Sequence, residues 1–423
     1  MREYKNIGSS DPLSYQCTCS ASDPNISGLV LLFYRYFGNE PALPDEYLPA
    51  TEDLETLSRW HTELAQKFKL GGKIRIAKEG FNVFASCQAQ QDLITVGGTR
   101  EDITGYIQML LPHWTFSNLN LNNLEAQDKF FKPTPGCACV FPGGCNIRIC
   151  SEITPMGVTN YTPKSWGSVV SLMPSEFHAR CLSASENTLL LDVRNHYESR
   201  IGHFVSPVTG KAALMPPIRR FSQFPQYVKS HLDELDTGAE GGKTEILSYC
   251  TGGIRCEKGV RFLYDQLKPG TKSPQVYTLH GGIAAYLTWV DEEIVAGRMS
   301  AGDSLFKGEN YVFDARGSMG LEASNEREMV AECHACGTKE SRMGKCASKG
   351  CHLVLVICEE CEGKGVKCCP GCGALDADGE VMRKMCECEW EREELLWAGR
   401  RKTPKQNGRK KASGMDIQIK TID

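Results

Sequence analysis

The chain has 423 residues, 41% of them hydrophobic, which supports packed cores over a disordered polymer. Its formal charge of −4 is uneven: eight Lys/Arg against two Asp/Glu from Arg400 onward give a local +6 and leave −10 for the rest. That excludes a whole-molecule pull toward nucleic acid, so any RNA contact has to rest on local patches. Met1 to Gly28 has neither a long apolar run nor a small-residue cleavage pattern, and no stretch approaches a membrane span. The expectation is a soluble, cytoplasmic protein of two or three domains, at roughly 100–200 residues for each.

Residues 1–28 read as a flexible N-terminus. Residues 29–126 read as an α+β domain. Leu29 to Tyr36 is apolar and β-prone. Thr51 to Leu70 carries Leu54, Leu57, Trp60, Leu64, Ala65 and Phe68 at helical spacing and is stopped by Gly71-Gly72. Strands follow at Lys73 to Ala77 and Phe81 to Ala85, then a helix from Glu101 to Leu111 and a fourth strand from Thr115 to Leu124. That order is ferredoxin-like. Residues 127–163 form a Cys/Pro/Gly-rich linker. Its Cys137, Cys139, Cys145 and Cys150 have spacings that suit a cysteine-rich surface loop better than zinc.

Residues 164–300 alternate strands and helices, which implies a parallel, helix-covered sheet with its ligand site at the C-terminal strand ends. Met173 to Phe177 opens a helix. Leu189 to Arg194 is a strand ending in Asp192-Val193-Arg194, and Gly202-His203 follows. Glu245 to Tyr249 is a buried strand, after which Cys250-Thr251-Gly252-Gly253-Ile254-Arg255 makes a tight loop into a helix from Glu257 to Leu267. Two glycines let the loop curl, and its amides, the helix dipole and Arg255 all favour a thiolate on Cys250. A thiolate is a nucleophile. Val276 to Leu279 and His280 to Ile283 supply a last strand and helix start.

A segment at 301–329 leads into a cysteine-rich module at 330–390. Eleven of the 21 cysteines lie between Cys333 and Cys388. In a reducing compartment such clustering points to metal and not to disulfides. Cys333 and Cys336, Cys346 and Cys351, Cys358 and Cys361, and Cys369 and Cys372 make four ligand pairs, enough for two structural zinc ions. An interleaved pairing, first with third and second with fourth, is preferred, with a sequential pairing as the alternative. Cys368, Cys386, Cys388, His334 and His352 are spare donors. Only Leu353 to Ile357 is strongly apolar, so the module needs metal to fold. The tail at 391–423 holds Arg400-Arg401-Lys402 and Arg409-Lys410-Lys411, suited to a phosphate backbone, a nuclear address or plain solvation.

The stretch from Cys250 to Arg255 resembles the active-site loop of rhodanese domains, whose cysteine carries a persulfide. It has four residues between Cys250 and Arg255, one fewer than phosphatase loops of related shape. The longer string through Cys256-Glu257-Lys258 resembles one subfamily, the bacterial tRNA uridine hydroxylases and their eukaryotic relatives with a cysteine-rich tail. Two further stretches are similar to that subfamily. One is Ile76 to Val83, where Ile76, Phe81 and Val83 replace a Leu, an Ile and a Gly of the pattern. The other is Tyr311-Val312-Phe313-Asp314-Ala315-Arg316. The resemblance implies oxygen-dependent hydroxylation of the wobble uridine of tRNA, with Cys250 essential. Arg255 and the amides of Thr251, Gly252, Gly253 and Ile254 would hold its anion, and Asp192 and Arg194 would pair and orient the site. Glu79 and Asn82 stand either at the site or in a tight turn. The alternative activity is sulfur transfer from a donor through Cys250. A non-enzymatic RNA- or protein-binding adaptor is the third reading. No organic cofactor motif is evident, and the sequence leaves the oligomeric state open.

Overall fold

The computed structural model describes residues 29–87, 100–135, 144–158, 161–235, 244–267, 274–313, 317–324, 328–351, 353–377 and 385–399. The expectations for residues 1–28, Cys137, Cys139, His352, Asp314 to Arg316 and the basic stretches from Arg400 lie outside them.

Eight β-prone residues make β1 (Leu29–Tyr36). Asp53 caps α1 (Leu54–Lys67) by accepting from the Thr56 N–H, and Leu57, His61, Leu64 and Ala65 bury one helical face. The strands β2 (Leu70–Ala77) and β3 (Gly80–Cys87) form a hairpin, followed by α2 (Arg100–Leu110), α3 (Leu124–Phe131), β4 (Thr134–Pro135) and β5 (Cys145–Ile149). The sheet runs β4-β1-β3-β2-β5, with β5 parallel to β2 and the other pairs antiparallel. The strand expected at Thr115 to Leu124 is not there. Trp114–Phe116 is a 3-10 turn, and Asn118 and Asn120 take φ of 66° and 53°, left-handed values a strand excludes. Its edge position falls to the short β4.

The second sheet is built from β6 (Val170–Leu172), α4 (Pro174–Leu182), β7 (Thr188–Asp192), α5 (His196–Ile201), β8 (Gly202–Phe204), α6 (Phe224–Ser230), α7 (Leu232–Leu235), β9 (Glu245–Tyr249), α8 (Ile254–Gln266), β10 (Gln275–Leu279) and α9 (Gly282–Val295). Strands β6, β10, β9 and β7 are hydrogen-bonded in that order and all parallel, except that β8 stands outside this sheet. Every residue of β9 is buried, because it is interior and covered on both faces. Its side chains alternate: Ile246 and, one step past the strand, Cys250 enter the core under α6 and α8, while Leu247 and Tyr249 enter the one under α4 and α9. The chain is thus a mixed α/β protein with a parallel sheet whose central strand delivers Cys250.

Beyond it, β11 (Phe306–Gly308) pairs with β8, and β12 (Asn310–Tyr311) pairs with β13 (Ser318–Met319). The cysteine region contains the hairpin β14 (Met343–Lys345) and β15 (Val354–Val356), then α10 (Glu359–Glu362), α11 (Pro370–Ala377) and α12 (Glu387–Leu396). This region is not a free appendage. Met343, Val354 and Val356 pack on Tyr197 and Ile201 of α5. From α12, Leu396 joins the core around α6 and α8, and Arg392 donates to the Pro217 carbonyl at 2.8 Å. No helix among the described residues is long and apolar enough to cross a membrane.

Candidate active site and cysteine clusters

Cys250 is fully buried at the C-terminal end of β9. Gly253 has φ of 96°, and that left-handed turn aims its N–H at the Cys250 sulfur, 3.2 Å away. Burial alone would push the Cys250 thiol up. The Cys256 S–H, the Arg255 charge and the Cys256 and Arg255 N–H groups outweigh it and bring the pKa to about 5. Gly282 is needed on the other side, because a Cβ there would lie 2.4 Å from the Cys250 carbonyl and under 3 Å from the Gly252 and Gly253 nitrogens. The close approach lets the Ile283 and Ala284 N–H groups at the start of α9 donate to the carbonyls of Cys250 and Thr251 at 2.9 and 3.0 Å. The loop is therefore held from two helices. Cys256, one turn along, is buried against Cys250 with its own thiol pushed up by burial and by that neighbour, so it stays a proton donor.

Arg255 makes a bidentate ion pair with Glu198 of α5, both N···O distances being 2.7 Å, and donates to Thr251 Oγ1 at 2.9 Å. Thr251 in turn donates to Glu198 at 3.1 Å. Glu198 is wholly buried, so the guanidinium is fixed in place and its charge is shared between carboxylate and thiolate. Asp192 and Arg194, also wholly buried, pair with each other at 2.7 Å. Ser199 donates to Asp192 and Arg194 to the Gly202 carbonyl, so this pair ties β7 to α5 and β8 beneath the loop. His203 Nδ1 meets the Ser199 carbonyl at 3.0 Å, which occupies it structurally.

Residues from β1 and from just after α3 cover the loop. A Cβ on Gly253 would lie 2.6 Å from the Tyr34 hydroxyl of β1, and one on Gly281 would lie 3.6 Å from Lys132 Nζ, just after α3. Burial lowers the Lys132 amine, and the facing Cys250 and Glu257 oppose that. Tyr36 donates to the Ile254 carbonyl at 3.4 Å, and Asn39 to Glu257 at 3.2 Å. Glu79 and Asn82 are one step removed. Glu79 accepts from the Ile153 N–H at 2.8 Å and from Lys258 of α8 at 2.7 Å, and Asn82 donates to the Ile153 carbonyl at 3.3 Å. Lys258, 1% exposed, also binds Glu152 at 2.8 Å. This triad clamps the β2–β3 turn and the segment after β5 to α8.

Glu198, Tyr34 and Lys132 escape sequence reasoning for different reasons. Glu198 carries a signal, since a buried arginine next to a thiolate needs a carboxylate. Tyr34 and Lys132 carry none, because their place depends on how the first sheet packs against the loop after β9.

Among the described cysteines, Cys333, Cys336, Cys358 and Cys361 bring their sulfurs within 4.8 Å of one another, the interleaved pairing of first with third. The second set differs from expectation. Cys346, Cys351 and Cys372 are joined by Cys368, while Cys369 stands in an overlapping set with Cys368, Cys372 and Cys386. Cys369 directly precedes α11 and lies with Cys386, the residue before α12. Either set has the donors of a closed four-thiolate site, which suits a structural ion without an open position. Of the linker cysteines described, Cys145 packs against the N-terminal core and the Cys150 thiol donates to the Arg148 carbonyl.

Residues 307–373 match the family model described as Rhodanase C-terminal. Three of the most similar curated relatives each carry the name tRNA uridine(34) hydroxylase. That of Staphylococcus haemolyticus is 29% identical over 86% of this chain and 94% of its own length. That of Lactococcus lactis is 30% identical over 80% of this chain and 87% of its own. That of Prochlorococcus marinus is 32% identical over 65% of this chain and 73% of its own.

Proposed function

The chain belongs to the tRNA uridine(34) hydroxylase family, and from that premise we propose that it is an oxidoreductase that hydroxylates uridine 34 of tRNA at ring carbon 5. The observation that carries this reading is Cys250, a buried thiolate with a pKa of about 5 at the C-terminal edge of the parallel sheet, covered by residues of a second domain. In the proposed reaction the thiolate adds to the ring carbon beside carbon 5, carbon 5 then takes one atom of O2 as a hydroxyl while the other leaves as water with two electrons from an external reductant, and loss of the carbon 5 proton expels the thiolate. Arg255 and the Gly253 N–H hold the sulfur anion before attack and after release. Because Cys250 is fully buried, the base has to displace part of the Tyr34 and Lys132 cover, and Lys132 is then placed to meet a phosphate or a developing oxyanion. tRNA is the partner and the cytoplasm the place of action.

We further propose the following division. The ferredoxin-like domain expected at 29–126 extends into the expected linker, because β4 and β5 lie in its sheet, and 164–300 is a rhodanese domain. The segment at 330–390 is a module folded around zinc, with Cys333, Cys336, Cys358 and Cys361 as one ligand set.

Sulfur transfer is the second reading, favoured by Cys256 against Cys250: its thiol can attack the inner sulfur of a persulfide there, forming a Cys250–Cys256 disulfide and releasing the outer sulfur as hydrosulfide. Mass spectrometry of nucleosides from tRNA incubated with the protein in air decides. One added oxygen on uridine 34 is the expected result. An unchanged uridine, together with a sulfur-sized gain on Cys250 after thiosulfate, would transfer the assignment to sulfur chemistry.

A further inference from the structure

The second cysteine cluster has more sulfur than one metal ion can use. Cys346, Cys351, Cys368 and Cys372 form one four-sulfur set, and Cys368, Cys369, Cys372 and Cys386 form another. The two sets share Cys368 and Cys372, so six residues supply both. Resting on the reading that this module binds zinc, we infer that these six cysteines hold a pair of zinc ions bridged by the thiolates of Cys368 and Cys372, with Cys346 and Cys351 terminal on one ion and Cys369 and Cys386 terminal on the other.

The distances fit two tetrahedra joined along an edge. Zinc about 2.3 Å from four sulfurs puts those sulfurs about 3.8 Å apart. The separations are 3.8 Å for Cys346 to Cys372 and 3.9 Å for Cys351 to Cys368 on the first side. On the second side they are 3.9 Å for Cys368 to Cys369 and 3.7 Å for Cys368 to Cys386. The shortest, 3.2 Å, joins Cys368 to Cys372. That is the shared edge, which two mutually repelling cations shorten by drawing the bridging anions together.

Charge argues the same way. One divalent ion on four thiolates is a dianion. A second divalent ion that recruits two more thiols and releases their protons leaves the cluster a dianion, so it satisfies two further buried or half-buried sulfurs at no cost in buried charge. Cys388 is a seventh cysteine nearby, but its S–H donates to the Cys368 carbonyl at 3.4 Å and it belongs to neither four-sulfur set.

The second ion has a structural task that the first lacks. Cys369 immediately precedes α11, and Cys386 caps α12. An ion between them fastens α12, whose Glu389 pairs with Arg219 and whose Leu396 enters the core around α6 and α8. It therefore staples the cysteine module to the sheet domain.

Native mass spectrometry of the full chain, purified with zinc, tests this. Three zinc ions per chain are expected, one from the set at Cys333 and two from the bridged pair, and X-ray absorption should show a zinc–zinc path. Cys386→Ser should lower the count to two, remove that path and raise hydrogen exchange in α12. Should Cys386→Ser fail to fold, the wild-type count and zinc–zinc path still decide. Two ions in the wild type, without a zinc–zinc path and with Cys369 and Cys386 open to alkylation, would overturn the bridged pair while leaving the zinc reading intact. A chain without zinc would overturn both.

Discussion

Cys250 and Cys372 are both fully buried sulfurs, yet the protein keeps them there by opposite means. Around Cys250 the fold supplies the compensation itself: an N–H from Gly253, a guanidinium fixed by Glu198, and the Cys256 thiol. One anion is matched by donors built before any ligand arrives, and it is left free to react. Around Cys372 the neighbours are other sulfurs, at 3.2 Å from Cys368 and 3.8 Å from Cys346. On the zinc reading proposed above, such a cluster is compensated by cations from outside, and once they bind its sulfurs are spent. On that reading the same residue is a nucleophile in the first setting and mortar in the second.

The largest effect that separates the two settings is metal removal. Structural zinc supplies about 10–16 kcal/mol of binding free energy that doubles as folding energy. A strong chelator should therefore unfold β14, β15 and α12, seen as lost hydrogen-exchange protection, while protection in β9 and its loop persists. Loss of β9 protection at the same chelator concentration would show that the two regions are one folding unit.

Next is the clamp. Lys258→Met leaves Glu79 and Glu152 facing each other without their buried cation, at an expected cost of about 3–5 kcal/mol. A melting temperature unchanged from wild type would remove the clamp from the account. Glu198→Gln acts inside the site. It frees Arg255 from its partner, so the Cys250 pKa should fall below about 5, while turnover drops on the order of 10²-fold because the guanidinium is no longer held in position. A higher thiol pKa in that variant would mean that Glu198 acts on Cys250 by some other route.

The pH dependence follows from the same group. The folded pKa of Cys250, about 5, lies below its ordinary 9.0, so the stability it contributes is full above about pH 9 and is lost as pH falls toward 5. Cys250→Ser should flatten that part of the stability profile. In the wild type, ultraviolet thiolate absorbance should titrate with a midpoint near pH 5; a midpoint near 9 would mean that the loop does not activate the sulfur. The smallest effect is expected at the surface. Lys78→Met breaks an exposed pair with Glu52 and should change stability by at most about 1 kcal/mol, with product formation unaltered.

The site is legible in the sequence where its parts are contiguous. Glu245 to Arg255 reads as strand, glycine loop and helix start because each step has its own local cause: burial, φ freedom and a helix N-terminus. The strand β1 and the helices α1 and α2 are legible from periodicity. Thr115 to Leu124 is not, since its apolar residues resemble a strand while Asn118 and Asn120 bend the backbone out of one. The partners that complete the site come from afar in the chain. Glu198 lies 57 residues from Arg255, and Tyr34 and Lys132 come from β1 and from just after α3, earlier in the chain. In the cysteine region, spacing picks out Cys333, Cys336, Cys358 and Cys361, whose sulfurs cluster, but that Cys368 takes the place expected for Cys369 and that Cys368 and Cys372 belong to both other sets are properties of three dimensions.

The most direct test of the central claim uses Cys250→Ser with two readouts on one tRNA. The variant keeps a hydroxyl where the thiolate stood, so binding should stay within about twofold of wild type while the oxygen gain on uridine 34 disappears. Hydroxylated product from the variant at the wild-type rate, or loss of tRNA binding with the sulfur, would contradict Cys250 as the nucleophile.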